Sequence, residues 1–375
     1  MRGKKFLAWC RGEAVLLTAA VCAAVSALAV PPSAAYLGYI DLRVLCLLLC
    51  LMAVVAGLQH CGVFLVLSQR LLAGEKNVRL LQLLLVLLPF FSSMLITNDV
   101  ALITFVPFTL QILELAGERR RVLPTVILQT AAANLGSMAT PVGNPQNLFL
   151  CGHFHLSAGD FFSTLLPYTA VSLLALSAGA LVGSRQSVCV RFPQPAAIRR
   201  PGLLAVLAAL FALCLLAVFH VVHYAVVTAV VVTAVVVTAL LVLAPGLLKK
   251  VDYSLLLTFV FFFIFAGNIG QIPALRQLLA GWMDRSALLT SALASQVISN
   301  VPASLLLAGF TEDWRGLLLG VDLGGLGTPI ASLASLISLK FYIRSPGARP
   351  GRFLLWFSAV NFGGLAVLLL LTRVF

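Results

Sequence analysis

Charged residues are scarce in this chain of 375 residues, and acidic residues are the scarcest of them. Only 10% of the residues are charged, with 12 acidic against 25 basic side chains, while 61% are hydrophobic and the mean hydropathy is +1.07. A soluble protein needs far more polar surface than this composition supplies. The sequence therefore excludes the soluble classes and predicts an integral membrane protein that crosses a lipid bilayer several times.

Patterns that would indicate a metal centre or a redox pair are also missing from the sequence. The eight cysteines are scattered, without a CxxC pair and without a Cys/His cluster of zinc-binding spacing. An intramembrane enzyme would need a nucleophile beside a base, or metal ligands at membrane depth, and no predicted span holds such a set. The sequence predicts a protein that is not an enzyme and that carries no resident cofactor.

The net charge of +13 raises the question of nucleic acid, which the positions of the basic residues answer. Most of them fall in six clusters between apolar runs, at residues 2–11, 70–79, 119–121, 185–200, 249–250 and 340–352. Placing all six clusters on the cytoplasmic side satisfies the positive-inside rule. We therefore expect no nucleic-acid partner, a multi-pass protein of the plasma (inner) membrane, and a cytoplasmic N-terminus.

An unusual motif occurs twice in the chain, each time midway along an apolar stretch. Residues 133–144 reappear as residues 321–332, and identical residues occupy four matched positions: Leu135 and Leu323, Gly136 and Gly324, Thr140 and Thr328, and Pro141 and Pro329. Gly and Pro at these places interrupt a helix and free backbone groups that an ion or a polar solute can contact. Paired interrupted segments in two halves of a chain indicate the binding site of a transporter.

The rest of the chain predicts two halves of opposite orientation in an all-α membrane fold. Apolar segments broken by polar residues, and flanked on both sides by loops of one membrane face, are typical of re-entrant hairpins. The predicted organisation is a first inverted repeat over 1–183, with a hairpin at 80–115 and a broken helix at 123–150, a cytoplasmic linker at 184–201, and a second inverted repeat over 202–375, with a hairpin at 288–310 and a broken helix at 317–339.

The residues able to bind an ion or a solute lie at the tips of the two predicted hairpins and at the interruptions of the two broken helices. Asp99 stands at the first hairpin tip and Asp322 in the second broken helix, where a carboxylate costs about 2.5–3.5 kcal/mol on insertion scales. Each aspartate either couples transport to a cation or proton or caps a half-helix. The candidate binding residues are Thr97, Asn98, Asp99, Asn134, Gly136, Thr140, Pro141, Asn144, Asn147, Ser299, Asn300, Asp322, Gly324, Thr328, Pro329 and Ser332.

The two hairpins and the two Thr-Pro broken helices resemble the ion transporter superfamily, in particular its citrate-transporter-like group of divalent-anion:sodium symporters and arsenite efflux carriers. The run from Gly136 to Leu148 is the most specific part of this resemblance. The resemblance implies an elevator mechanism, in which a transport domain slides against a scaffold that usually forms a homodimer. It also implies hypothetical sodium sites at Asn98, Gly136 and Asn144 and, in the second half, at Asn300 and Gly324.

The hairpin tips depart from the dicarboxylate carriers of that group, which carry Ser-Asn-Thr at both tips. Here the triplets are Thr97-Asn98-Asp99 and Ser299-Asn300-Val301, and a carboxylate at Asp99 would repel a dianion. The leading hypothesis is a secondary transporter of a small anion, either a carboxylate or an inorganic oxyanion, coupled to a sodium or proton gradient. The alternatives are a sodium/proton-type cation antiporter and an arsenite efflux carrier, both using Asp99 and Asp322.

Overall fold

Helices make up almost all of the regular structure in the computed structural model, which describes residues 13–183, 186–190, 192, 195–241 and 251–374. The N-terminal basic cluster, the pair at 249–250 and parts of the predicted linker lie outside the described residues. The helices are α1 (Ala14–Ala29), α2 (Ala35–Tyr39), α3 (Leu42–His60), α4 (Val63–Leu72), α5 (Val78–Ser92), α6 (Asn98–Leu115), α7 (Val122–Ser137), α8 (Pro145–His153), α9 (Ala158–Ala180), α10 (Pro201–Val218), α11 (Tyr224–Leu241), α12 (Tyr253–Gln271), α13 (Pro273–Arg285), α14 (Ala287–Ile298), α15 (Asn300–Leu307), α16 (Trp314–Leu323), α17 (Leu333–Ile343) and α18 (Pro350–Leu371).

Six of the described helices are long and apolar enough to cross a membrane: α3, α6, α9, α10, α12 and α18. This count confirms an integral protein with several candidate spans. Two of the six begin in the same way, because the Asp41 side chain accepts a hydrogen bond from Val44 N in α3 and the Asp252 side chain accepts one from Leu255 N in α12. Such N-caps satisfy a backbone donor that the first helical turn leaves unpaired.

Two short strands add to the helical fold that the sequence predicts. Strand β1 (Gly74–Asn77) pairs antiparallel with β2 (Ser187–Val190), with Gly74 opposite Val190. The second strand lies in the predicted linker, and Phe192 beyond it stacks on Phe108 of α6 with ring centroids 5.9 Å apart. Period-two alternation is too weak over four residues to reveal such strands in the sequence.

The helices pack in two groups of contacts. In one group α1 packs along α12, while α10 and α11 both pack on α3. In the other group α5 and α6 pack on α7, and α14 and α15 pack on α16. A large core joins the groups and contains Phe90, Phe161 and Phe259, each with no exposed surface.

Helix interruptions lie where the repeated motif predicts them. The predicted broken helix at 123–150 is α7 followed by α8, and the one at 317–339 is α16 followed by α17. The segment at 80–115 divides into α5 and α6, and the segment at 288–310 divides into α14 and α15, which meet at Ser299. Ser299 has a φ of 73°, a left-handed conformation that is rare for a residue with a side chain.

Close packing at the first break gives a testable prediction. A Cβ at Gly136 would lie 2.1 Å from the Phe90 carbonyl oxygen, so Gly136→Ala forces α5 away from α7. Overpacking of this kind costs about 1–3 kcal/mol, and we expect a lower melting temperature for the detergent-purified protein. Gly363→Ala in α18 is the matched control, because nothing lies within 4 Å of its Cβ position. Equal melting temperatures for the two variants would contradict this packing.

Candidate functional site

Each broken helix separates into two half-helices around a short irregular segment. The first break ends at Asn144, whose side chain accepts a hydrogen bond from Asn147 N at 3.0 Å and so begins α8. The second break passes through Gly327 at a φ of 110° and ends at Ser332, just before α17. Pro141 and Pro329 lie inside the breaks, where the missing proline N–H removes one donor that would otherwise need a partner.

The first hairpin tip supplies partners to the first break. Asn98 N donates to the Gly143 carbonyl at 3.2 Å, and the Thr140 hydroxyl donates to the Met94 carbonyl at 2.5 Å. Thr97 precedes α6 without capping it through its side chain. The tip and the break therefore hold each other through backbone groups that neither segment can satisfy alone.

The second tip and the second break repeat this pair of contacts. Asn300 N donates to the Ala331 carbonyl at 2.9 Å, and the Thr328 hydroxyl donates to the Gln296 carbonyl at 2.9 Å. Ser299 adds a hydroxyl contact to the Ala331 carbonyl at 3.3 Å. Asn98 and Asn300 also match, since each side-chain oxygen accepts a hydrogen bond from the next residue's backbone N. The two tip-and-break units thus use equivalent residues for equivalent bonds.

Asn134 joins the two units. Its side-chain oxygen accepts hydrogen bonds from Asn98 Nδ2 at 3.0 Å and from the Ser332 hydroxyl at 3.0 Å. Its amide nitrogen lies 3.4 Å from both the Gly325 carbonyl and the Ser335 hydroxyl. Asn134 therefore connects the first tip to the second break.

Asp322 occupies the position in α16 that Asn134 occupies in α7. It is 3% exposed, and its Oδ1 accepts from Asn144 Nδ2 at 3.2 Å and from Gln146 Nε2 at 3.3 Å. Its Oδ2 is buried and has no hydrogen-bond partner. Asp322 lies near the C-terminal end of α16, so its side chain does not cap the N-terminus of this half-helix. A buried carboxylate oxygen without a donor is a place for a proton or a cation.

Asp99 lies in the first turn of α6 and is half-buried. Its Oδ1 is buried and has no partner, and its side chain does not cap the helix. Asp99 lines a cavity of about 400 Å³ together with Thr97 and Asn144, and the lining also includes Asp252 of the loop before α12 and Lys340 of α17. The cavity is lined by residues of α1, α3, α12 and α17 together with the first tip, and Asp99 forms part of its surface.

A second cavity of about 330 Å³ lies at the opposite end of α3 and α12. Its lining includes Asp41, His153 and Arg276, but neither Ser299 nor Asn300. The second tip is buried, with Ser299 6% and Asn300 5% exposed. Of these two cavities, the larger is lined by the first tip, and neither is lined by Ser299 or Asn300 of the second tip.

The hypothetical sodium ligands divide between the two units. Asn98 and Asn144 lie at the first tip and break, where the Gly136 carbonyl accepts from Ala139 N at 3.0 Å, while the Gly324 carbonyl accepts from Gln296 Nε2 at 2.8 Å. Asn147 Oδ1 is a further buried oxygen without a partner. Within the described ranges no group of three or more His, Cys, Asp or Glu residues could hold a metal ion. The oxygen atoms present suit an alkali cation or a proton.

Sequence reasoning missed Gln296, whose side chain contacts the second break at three residues. Its Nε2 donates to Gly324 and Leu326, and its Oε1 accepts from Thr328 N at 2.8 Å. A glutamine in the otherwise apolar end of α14 is a usable signal, since a polar amide in such a helix needs partners.

Comparisons with known proteins agree with this architecture. The family model described as citrate transporter matches residues 6–313. A transporter of Methanocaldococcus jannaschii is 31% identical over 297 residues, which cover 78% of each chain. An inner membrane protein of Escherichia coli is also 31% identical over 297 residues, covering 77% of each chain.

A more distant relative shares part of the chain. A silicon efflux transporter of Oryza sativa is 35% identical over 129 residues, which are 34% of this chain and 26% of the relative. The family match covers most of the chain, including both segments predicted to be hairpins and the whole of the first interrupted helix. The chain therefore belongs to the citrate transporter family and is a membrane transporter.

Proposed function

We propose that this transporter is a secondary carrier of a small anion, either a carboxylate or an inorganic oxyanion, and that a sodium or proton gradient drives the transport. The observation that carries the proposal is the duplicated tip-and-break unit, in which Asn98 meets Gly143 and Asn300 meets Ala331. Each unit places a half-helix N-terminus at the centre of the protein, and such N-termini attract anions. Binding sites between two such units are typical of carriers with internal repeats.

The duplicated contacts support inverted repeats, the first within 1–183 and the second within 202–375, joined by the linker at 184–201. Short helices support the re-entrant hairpins. A helix of 12 residues such as α14 is about 18 Å long, and α15 with eight residues is about 12 Å long, both well below the roughly 30 Å of a hydrocarbon core. Helix α6 is long enough to span, so the first hairpin needs the direct test given below.

Cavity positions support alternating access by an elevator movement. The 400 Å³ cavity separates α1, α3 and α12 from the first tip and is bordered by Asp252 and Lys340, which the charge pattern places on the cytoplasmic side. We assign the arrangement as inward-facing, with α1, α3, α10, α11 and α12 as the scaffold. Exposed apolar side chains on α10 and α11, such as Val206 and Val226, suit lipid or the surface of a homodimer.

The unpaired carboxylate oxygens favour a second candidate function. Asp99 Oδ1 and Asp322 Oδ2 both lack partners, and like charges at a site repel an anion unless protons or cations neutralise them. A cation/proton antiporter would use the two aspartates directly. Efflux of a neutral or protonated acid such as arsenite also fits, and a silicon efflux transporter is among the relatives.

Transport assays separate these functions. Purified protein in proteoliposomes should be offered labelled sulfate, citrate, succinate and arsenite under separate sodium and proton gradients. Saturable movement of one of these solutes that depends on a gradient is the expected result. Proton movement coupled to sodium, with no movement of any solute, would overturn the anion proposal in favour of the antiporter.

Asp99 is expected to bind the coupling ion, and Asp99→Asn tests this role. Asn is nearly isosteric and keeps the fold, but it cannot bind a proton and binds a cation weakly. Gradient-driven uptake should fall at least tenfold, whereas exchange of solute across the membrane should persist. Asp284→Asn, an exposed acidic residue, is the matched control. Unchanged uptake, with unchanged dependence on pH and sodium, would remove Asp99 from the coupling mechanism.

The re-entrant hairpins predict which faces of the membrane the loops occupy. Single cysteines at Glu75 and Arg120, in a variant without native cysteines, should react with an impermeant maleimide from the cytoplasmic side alone. Cysteines at Asp284 and Glu312 should react from the opposite side alone. These four residues are exposed and flank the two hairpin segments. Labelling at Glu75 and Arg120 from different sides would show that the segment 80–115 crosses the membrane, and labelling at Asp284 and Glu312 from different sides would show the same for 288–310.

A further inference from the structure

The Gln296 amide nitrogen lies near three backbone carbonyl oxygens, two of the second break and one of its own helix α14. Nε2 lies 2.8 Å from the Gly324 oxygen, 2.9 Å from the Leu326 oxygen and 3.2 Å from the Ala292 oxygen. An amide NH₂ has two hydrogens, so it cannot satisfy all of these acceptors fully. The oxygens therefore converge on one neutral amide NH₂ group, whose hydrogens carry a partial positive charge.

The break is shaped around this amide. Gln296 Oε1 accepts from Thr328 N, which fixes the orientation of the amide, and the Thr328 hydroxyl binds the Gln296 carbonyl. Gly327 makes room for it, because a Cβ there would lie 2.1 Å from Oε1 and its φ of 110° excludes most other residues. Carbonyls released by an interrupted helix and directed at one point are the ligands that alkali cations take in transporters and channels.

The first break lacks this device. Met94 stands at the position equivalent to Gln296, as shown by the matching contacts of Thr140 with Met94 and of Thr328 with Gln296. A thioether offers no hydrogen to donate. The equivalent carbonyls of Phe90, Gly136 and Met138 accept from separate donors, and the bond from Asn147 to Met138 is long, at 3.5 Å.

We propose that the Gln296 amide is a permanent substitute for a coupling cation at the second break, so that only the first break binds an ion during transport. This inference rests on the proposed function, since it assigns the number of coupling ions to a cation-coupled carrier. The two units would then share a backbone design while differing in chemistry: a fixed amide dipole in the second unit, and an exchangeable ion beside Asp99 in the first. Gln296 acts as a positioning residue that touches the break and not the transported solute.

Equilibrium binding of ²²Na⁺ to the detergent-purified full chain at pH 8 tests the proposal. Wild-type protein should bind one ion per chain. Gln296→Met copies the residue of the first unit and frees the carbonyls of Gly324 and Leu326, so the stoichiometry should rise to two. Gln271→Met is the matched control, because Gln271 is exposed at the end of α12, away from both breaks, and should leave the stoichiometry at one.

Further outcomes keep the two proposals distinguishable. A folded Gln296→Met protein that binds no more sodium than wild type would overturn the inference. If wild type binds no sodium while Gln296→Met gains one ion, the role of the Gln296 amide at the second break stands, whereas sodium binding at the first break and the sodium-coupled form of the proposed function fail. Should Gln296→Met not fold, the reverse change Met94→Gln decides, because an amide at the first break should abolish sodium binding, and retention of one ion would overturn the proposal.

Discussion

Backbone hydrogen bonding in a medium without water is the constraint on which the rest of this structure depends. Every unpaired N–H or C=O group in hydrocarbon costs several kcal/mol, so a helix can be interrupted there only when other protein groups replace the lost bonds. At the hairpin tips, the backbone N–H groups of Asn98 and Asn300 donate to carbonyls of the breaks. In the breaks, the hydroxyls of Thr140 and Thr328 donate to carbonyls of the segments that lead into the tips. Neither a tip nor a break is stable alone, which explains why the four segments occur as two matched pairs.

The buried polar side chains around the two breaks make fewer hydrogen bonds than they could, and the shortfall includes an oxygen of Asp322. Asn134 satisfies its side-chain oxygen with Asn98 and Ser332, whereas Asp322, at the equivalent position, leaves one oxygen without a partner. A fully satisfied network would be rigid, and a site with an unfilled carboxylate oxygen retains capacity for a mobile charge. The difference between Asn134 and Asp322 therefore separates a structural junction from a candidate binding position within the same fold.

The sequence alone predicted the interruptions of the helices, because Gly, Pro and Thr at the repeated motif disrupt helical hydrogen bonding wherever they occur. The ends of α7 and α16 and the division at Ser299 lie within the predicted segments. Partners across the protein were beyond reach, since the bond from Asn134 to Ser332 depends on how distant helices pack. Gln296 was missed for the same reason, because its contacts with the carbonyl oxygens of Gly324 and Leu326 exist only once the break has packed against α14.

The small sheet joins the connection between the two halves to the start of α5. β1 runs directly into α5, β2 pairs with it over four residues, and Val78 N donates to the Gln186 carbonyl at 2.9 Å. Phe192 stacks on Phe108 of α6, so the connection contacts both helices of the first hairpin segment, α5 and α6. Val190 of β2 and Phe192 also pack against the apolar core that α5 and α6 share, so the connection contacts the first hairpin segment through backbone bonds, a ring stack and apolar side chains. A molecule that bound this connection would therefore restrict movement of the first hairpin segment without contacting the first tip.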